Sequence, residues 1–256
     1  MELQLPFIRR ILGEHPNVRF EGWNLARNPN DAAYLRSLSG EFTIREEFYQ
    51  HHDGWNNVWR EYAKPGYADT LFVKFDDDDL FIETDRFGEF LRAVGDNPDA
   101  IVSAQVVNNG ASTLTIPKLH EQFLRLGIPL LDVHMSNRYA ELAHEYFFEH
   151  GPAGGDVELV PAESWVSINW IGFHYKVGRR IAEGVGSLSP RQIFDRSWEP
   201  GSILGDEGAA NLEKLAILKG FKVAHATFGP QNVTDEQLDR WLPLYEATGR
   251  NYLEGR

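Results

Sequence analysis

Apolar positions along the chain alternate between helical spacing and short continuous runs, the pattern of helices interleaved with buried strands. Leu5, Ile8, Ile11 and Leu12 share one helical face, and Gly13 is placed to end that helix. The stretch 17–25 (NVRFEGWNL) reads as a strand, followed by a polar turn at Asn28, Pro29 and Asn30 and a helix over 31–38. A second strand is expected over 41–45 and a helix over 55–63. The clearest segment is 70–75 (TLFVKF), a β-rich run that passes without a break into Asp76, Asp77, Asp78 and Asp79. Thr84 is placed to cap a helix reaching about Val94, and 100–107 (AIVSAQVV) is a continuous apolar strand ending at Asn108 and Asn109. Such runs fit a sheet covered by helices on both faces.

The second half is less regular. A helix is expected over 137–148, a loop over 151–155 (GPAGG) and a strand over 165–170. Residues 185–205 are rich in Gly, Ser and Pro and have the composition of a lid. The spacing predicts a helix over 207–219, with Asp206 as cap and Gly220 as terminator, then a strand over 221–226 (FKVAHA). Thr234 with Gln237 makes a capping box for a last helix around Trp241. No linker divides the chain, so residues 1–256 are expected to form one α/β domain.

Composition narrows the chemistry. With 42% hydrophobic and 25% charged residues the chain has the make-up of a soluble globular protein. Acids outnumber bases 38 to 25, a formal charge of −13 that repels a phosphate backbone and argues against nucleic acid as partner. The chain has no cysteine, which excludes disulfides, thiolate metal sites and cysteine nucleophiles. No secretion signal and no apolar run of membrane-spanning length is present, so a cytoplasmic location is expected.

The acid run carries the strongest signal. Ligands of α/β sheets bind at the carboxyl ends of strands, and adjacent carboxylates repel one another unless a cation joins them. Alternate residues of an extended backbone face alike, so Asp76 and Asp78 can converge. Hard oxygen donors suit Mg2+ or Mn2+; the competing reading is a solvated acidic turn. Asp206 and Glu207 open a helix, where the choice lies between a chemical role and an ordinary N-terminal acid. His225 in an apolar strand is either a hydrogen-bonded core residue or a metal ligand, and a ligand's second ring nitrogen is ordinarily held by an acceptor. Trp165 and Trp170 are core residues by default, with stacking on a sugar ring as the alternative. His144 and His150 lack the spacing of a zinc helix, and neither a G-x-S-x-G elbow nor a phosphate-binding P-loop occurs.

Taken together, FVKFDDDDLFIE, IVSAQVVNNG and WVSINWIGF, with the later Gly-Asp-Glu helix start and His, resemble glycosyltransferases of the GT-A fold, and more narrowly a bacterial and phage group of them. The likeness runs from about Asn17 to Thr248. It implies a Rossmann-like mixed central sheet with helices on both faces, and a metal-dependent transfer from a nucleotide-sugar to a hydroxyl of a glycan or protein. Asp76 and Asp78 match the DXD pair, Asp78 toward the ion and Asp76 toward the nucleotide, and His225 stands where the fold completes its metal shell. The resemblance assigns the base to Glu207, with Asp206 a competitor because the two acids stand in swapped order. Asp77 and Arg27 are candidate donor contacts; Asn108, Asn109, Trp165 and Asn169 are candidate contacts to donor or acceptor sugar. One departure is that the chain enters a helix at Met1, so the fold's usual first strand is expected to be missing.

Two rivals remain. A haloacid-dehalogenase-like phosphohydrolase also uses a strand-end D-x-D, but needs Thr or Val two places after the second Asp, where this chain has Leu80 or Phe81. A non-catalytic nucleotide- or sugar-binding relative would keep the fold alone.

Overall fold

The run Ala100–Val107 forms a strand buried at every position, as an apolar run without alternation requires when both faces of its sheet are covered. The computed structural model describes residues 1–152, 155–189, 192, 193, 196, 197, 199 and 201–255, and these form a mixed α/β fold. In chain order the strands are β1 (Glu21–Trp23), β2 (Thr43–Arg45), β3 (Leu71–Phe75), β4 (Asp79–Ile82), β5 (Ala100–Val107), β6 (Glu158–Pro161), β7 (Trp170–His174), β8 (Gln192–Ile193), β9 (Arg196–Ser197) and β10 (Lys214–His225). The helices are α1 (Leu5–Glu14), α2 (Pro29–Ser37), α3 (Gly54–Tyr62), α4 (Phe87–Asp96), α5 (Gly110–Thr113), α6 (Pro117–Leu124), α7 (Asn137–His150), α8 (Tyr175–Gly184), α9 (Asp206–Ala210) and α10 (Asp235–Leu253).

The central sheet has the order β3-β7-β5-β10-β4, and β6 also pairs with β10. β10 runs parallel to β5, while β7 is antiparallel to both β3 and β5, and β4 and β6 are antiparallel to β10. It follows that the ends of β3, β5 and β10 and the starts of β4 and β7 gather at one edge of the sheet. The register says the same: Phe75 faces Trp170, Asp79 faces His225 and Val107 faces Ala224. That edge holds the acid run, Asn108, Asn109, Asn169 and His225.

Each sheet face has its own core. On one, Phe87, Phe90 and Val94 of α4 pack with Val102, Trp170, Phe221 and Val223. The Phe90 and Phe221 rings stack at 4.7 Å, and burying a side chain of this size contributes roughly 1.5–3 kcal/mol. On the other, Val177 and Ile181 of α8 join Trp59, Ile101, Ile171, Phe173 and Ile217. α4 approaches so closely that a Cβ on Gly172 would lie 2.4 Å from Val94 Cγ2; only glycine fits there.

Several expectations are corrected. The chain over 214–219 is strand, not helix: α9 ends at Ala210 and β10 begins at Lys214. Gly220 does not end a helix. With φ at +80° it sits where the β5 pairing shifts register between Leu218 and Lys222, a bulge that turns β10 from β6 toward β4. Gly205, not Asp206, is the N-cap of α9. The strand expected over 165–170 is a loop and turn leading into β7. Thr84 caps nothing, because a short 3-10 turn intervenes before α4. The strand over 17–25 contracts to β1, and Gly13 lies inside α1. β1 and β2 pair in parallel as a separate two-stranded sheet, so the central sheet takes its first strand in chain order from β3. The expected lid (185–205) and the loop over 151–155 fall partly outside the described residues. The capping box of Thr234 and Gln237 is present as read.

Glu83, just after β4, is buried against the bulge. Its Oε2 accepts from the Lys222 N–H at 2.9 Å, and burial pushes its carboxyl from an ordinary 4.5 up to about 7. An acid raised on folding carries no penalty below the unfolded value, where both states are protonated. The penalty grows as pH rises from 4.5 to about 7 and is constant above, on the order of 3 kcal/mol. Glu83→Gln keeps the acceptor and removes the charge. Its urea midpoint should exceed that of the wild type near pH 8 and converge with it near pH 4; equal midpoints near pH 8 would contradict this.

Candidate metal centre and cleft

β3 ends at Phe75 and β4 starts at Asp79, so Asp76, Asp77 and Asp78 alone connect the two. Backbone bonds fix the crossing at both ends. The Asp76 N–H donates to the Asn169 carbonyl at 2.9 Å, and the Ala226 N–H donates to the Asp78 carbonyl at 3.0 Å. The second bond ties Asp78 to the residue after His225 and so brings their side chains together.

His225 Nε2 lies 3.1 Å from Asp78 Oδ1 and 3.8 Å from Asp76 Oδ2. One ligand atom from each of the three residues falls within 4.8 Å of the others. Burial opposes ionisation of Asp78, but His225 together with the backbone N–H groups of Thr227 and Asp78 outweighs it and holds the carboxyl below its usual range. Asp76 Oδ2 accepts from Asn169 Nδ2 at 2.9 Å, and its Oδ1 is paired with the Lys74 ammonium, which also donates to the Ile168 carbonyl at 2.8 Å. Asp77 is exposed. Asp79 is buried, neither carboxyl oxygen has a partner, and burial, reinforced by Asp76 and Asp78, pushes it well above its usual range. Burial thus disfavours its charged form, and Asp79 is not among the residues whose ligand atoms converge. The run therefore divides, with Asp76 and Asp78 turned to the cluster and Asp79 to the interior.

Two carboxylates and an imidazole around one point could hold a divalent cation. The fit departs from expectation in one respect. His225 Nδ1 is buried without a hydrogen-bond partner, and the ring is placed by Asp78 at Nε2 and by the Phe228 side chain, with centroids 4.6 Å apart.

Phe228 also borders a cleft of about 240 Å3, lined further by His134, Trp165, Ser167, Ile203 and Glu207. Glu207 Oε1 accepts from Trp165 Nε1 at 2.5 Å, and burial pushes its carboxyl above the ordinary range. Asp206 faces elsewhere. Its Oδ2 accepts from Trp59 Nε1 at 3.3 Å and its Oδ1 from the Glu207 N–H at 2.9 Å, the contacts of a residue that secures the helix start. Of the two competing acids, Glu207 alone lines the cleft.

The asparagines are braces. Asn108, at φ +66°, exchanges two hydrogen bonds with Gln231, at 3.0 and 2.7 Å. Asn109 caps α5 and donates to the Ser167 carbonyl at 3.2 Å. Both are buried. Asn169 orients Asp76, and Trp165 is a cleft wall bonded to Glu207. Arg27 lies exposed in the loop after β1. His144 is a core residue: burial lowers it to about 4, and it bonds Tyr245 at 2.7 Å and the Ala226 carbonyl at 2.8 Å.

Sequence reasoning missed Lys74, Ser167 and Phe228. Lys74 had a signal, since it is a lone charge on a β-rich run and stands two places before Asp76, on the same strand face. Ser167 and Phe228 had none, because their roles depend on a place beside Glu207 in the cleft and on a ring contact across the fold. Neither a family model, nor a curated protein, nor a solved structure matches the chain.

Proposed function

We propose that the protein is a metal-dependent glycosyltransferase of GT-A-like architecture, moving a sugar from a nucleotide-sugar to an acceptor hydroxyl of a glycan or protein. The observation that carries this reading is the meeting of Asp76, Asp78 and His225 at the sheet edge beside a cleft that presents Glu207. Asp76, Asp78 and His225 would hold Mn2+ or Mg2+, and such an ion, when bound, offsets charge on a departing diphosphate. Asp76 and Asp77 are the donor-side acids. Lys74 and Asn169 keep the Asp76 carboxylate oriented. Glu207, with its basicity raised by burial, takes the proton of the acceptor hydroxyl.

A thermal-shift panel of nucleoside diphosphates with and without manganese tests the reading. A ligand that binds only the native state raises its melting temperature, so at least one nucleotide should do so in a manganese-dependent way. No shift with any of them would count against the reading. Phosphate release from simple monoesters, without nucleotide binding, would select a phosphohydrolase.

A further inference from the structure

The segment from Trp165 to Asn169 touches both halves of the site. At its far end Asn169 orients Asp76. At its near end Trp165 Nε1–H donates to Glu207 Oε1 at 2.5 Å, and Ser167, which lines the cleft beside it, also favours the charged form of that carboxyl. Asn211 clamps the segment to α9. Its Oδ1 accepts from the Val166 N–H at 2.9 Å, its Nδ2 donates to the Val166 carbonyl at 2.8 Å, and its own N–H reaches back to the Glu207 carbonyl at 3.1 Å. Donors and carboxylate are therefore fixed to one another by backbone bonds as well as by their own contact.

We propose that Trp165, assisted by Ser167, is the positioning residue for Glu207, holding the carboxylate against the cleft wall in its ionised, proton-accepting form. This rests on reading Glu207 as the base. Hydrogen bonds donated to a carboxylate favour the charged form, whereas burial favours the neutral one; without the Trp165 donor the balance shifts toward the neutral acid. The other charged and titratable groups facing Glu207 are Asp206 on its own helix, which opposes ionisation, Lys74 of β3, which favours it, and His134 on the cleft wall.

Trp165→Phe keeps a ring and removes the N–H. With glutamate labelled at the side-chain carboxyl, and Glu207→Gln to identify the resonance, the Glu207 titration can be followed by carbon NMR. Its midpoint should rise by about one pH unit in Trp165→Phe and by less in Ser167→Ala, with manganese affinity unchanged in both. An unchanged midpoint, or a joint loss of manganese affinity, overturns the proposal. If Trp165→Phe does not fold, the wild type suffices. The Trp165 indole N–H resonance should move over the same pH range as the carboxyl and lose that dependence in Glu207→Gln; indifference to Glu207 overturns the proposal. Neither measurement uses a substrate, so failure here is separate from failure of the glycosyl-transfer reading, which the nucleotide panel reports.

Discussion

Asp78→Ala abolishes manganese binding and leaves the fold standing: that is the expected result if Asp76, Asp78 and His225 hold a cation. Residues that merely orient a metal ligand typically cost 10- to 100-fold in affinity when removed, so loss of a ligand should cost at least about 100-fold. The fold should survive because the structural bond of Asp78 is made by its main-chain carbonyl to the Ala226 N–H, which alanine retains. Without metal the variant should be somewhat less stable than the wild type near neutral pH, since it loses a carboxylate that folding holds below its usual range beside His225. Titration with manganese, followed by calorimetry or spin resonance, supplies the affinity, and a thermal melt without metal supplies the stability. Wild-type affinity in the variant removes the metal assignment. Because a bound imidazole nitrogen must be unprotonated, wild-type affinity should also weaken as the medium is acidified.

Glu207→Gln is expected to separate binding from turnover. Glutamine has nearly the same shape and keeps an oxygen to accept from Trp165 Nε1, so the cleft wall is preserved, but it cannot take a proton. Manganese-dependent nucleotide binding should be unaltered while transfer falls by roughly a hundredfold or more. Asp206 provides the contrast within one helix: its oxygens are committed to the Glu207 N–H and to Trp59, and its replacement should act through stability. Equal loss of binding and turnover in Glu207→Gln would make Glu207 a donor contact or a structural acid.

Where periodicity matched environment, the sequence was a sufficient guide. β5, α7 and the capping box of α10 lie where the apolar pattern and the local hydrogen-bond chemistry place them. β10 was misread because it is buried on both faces. Leu215, Ala216, Ile217 and Leu218 are all buried, so the run has no alternation to distinguish strand from buried helix. Gly220 then imitated a helix terminator, although its left-handed backbone serves a bulge. The loop at 165–169 misled in the opposite way. Val166 and Ile168 are buried as strand residues would be, but its backbone bonds go to Asn211, Asn109, Lys74 and Asp76 instead of a neighbouring strand. In the site, the acid run was legible as chemistry, whereas its division between Asp78 and Asp79 was not. That division arises only when β4 pairs with β10 and turns one carboxyl inward.

β10 is also the common partner of β4, β5 and β6. Among the described residues β4 and β6 pair with no other strand. A ribosome that has released the chain only as far as α9 has therefore produced β4 and β6 with nothing to pair with and β5 with one edge bare. Bare strand edges recruit other chains, so the nascent protein passes through its most aggregation-prone interval just before its last strand emerges. Contacts this distant in sequence also form slowly. Premature termination upstream of Lys214 should leave an insoluble product in which Asp76 and Asp78 have no His225 beside them, since His225 arrives on the same strand that closes the sheet.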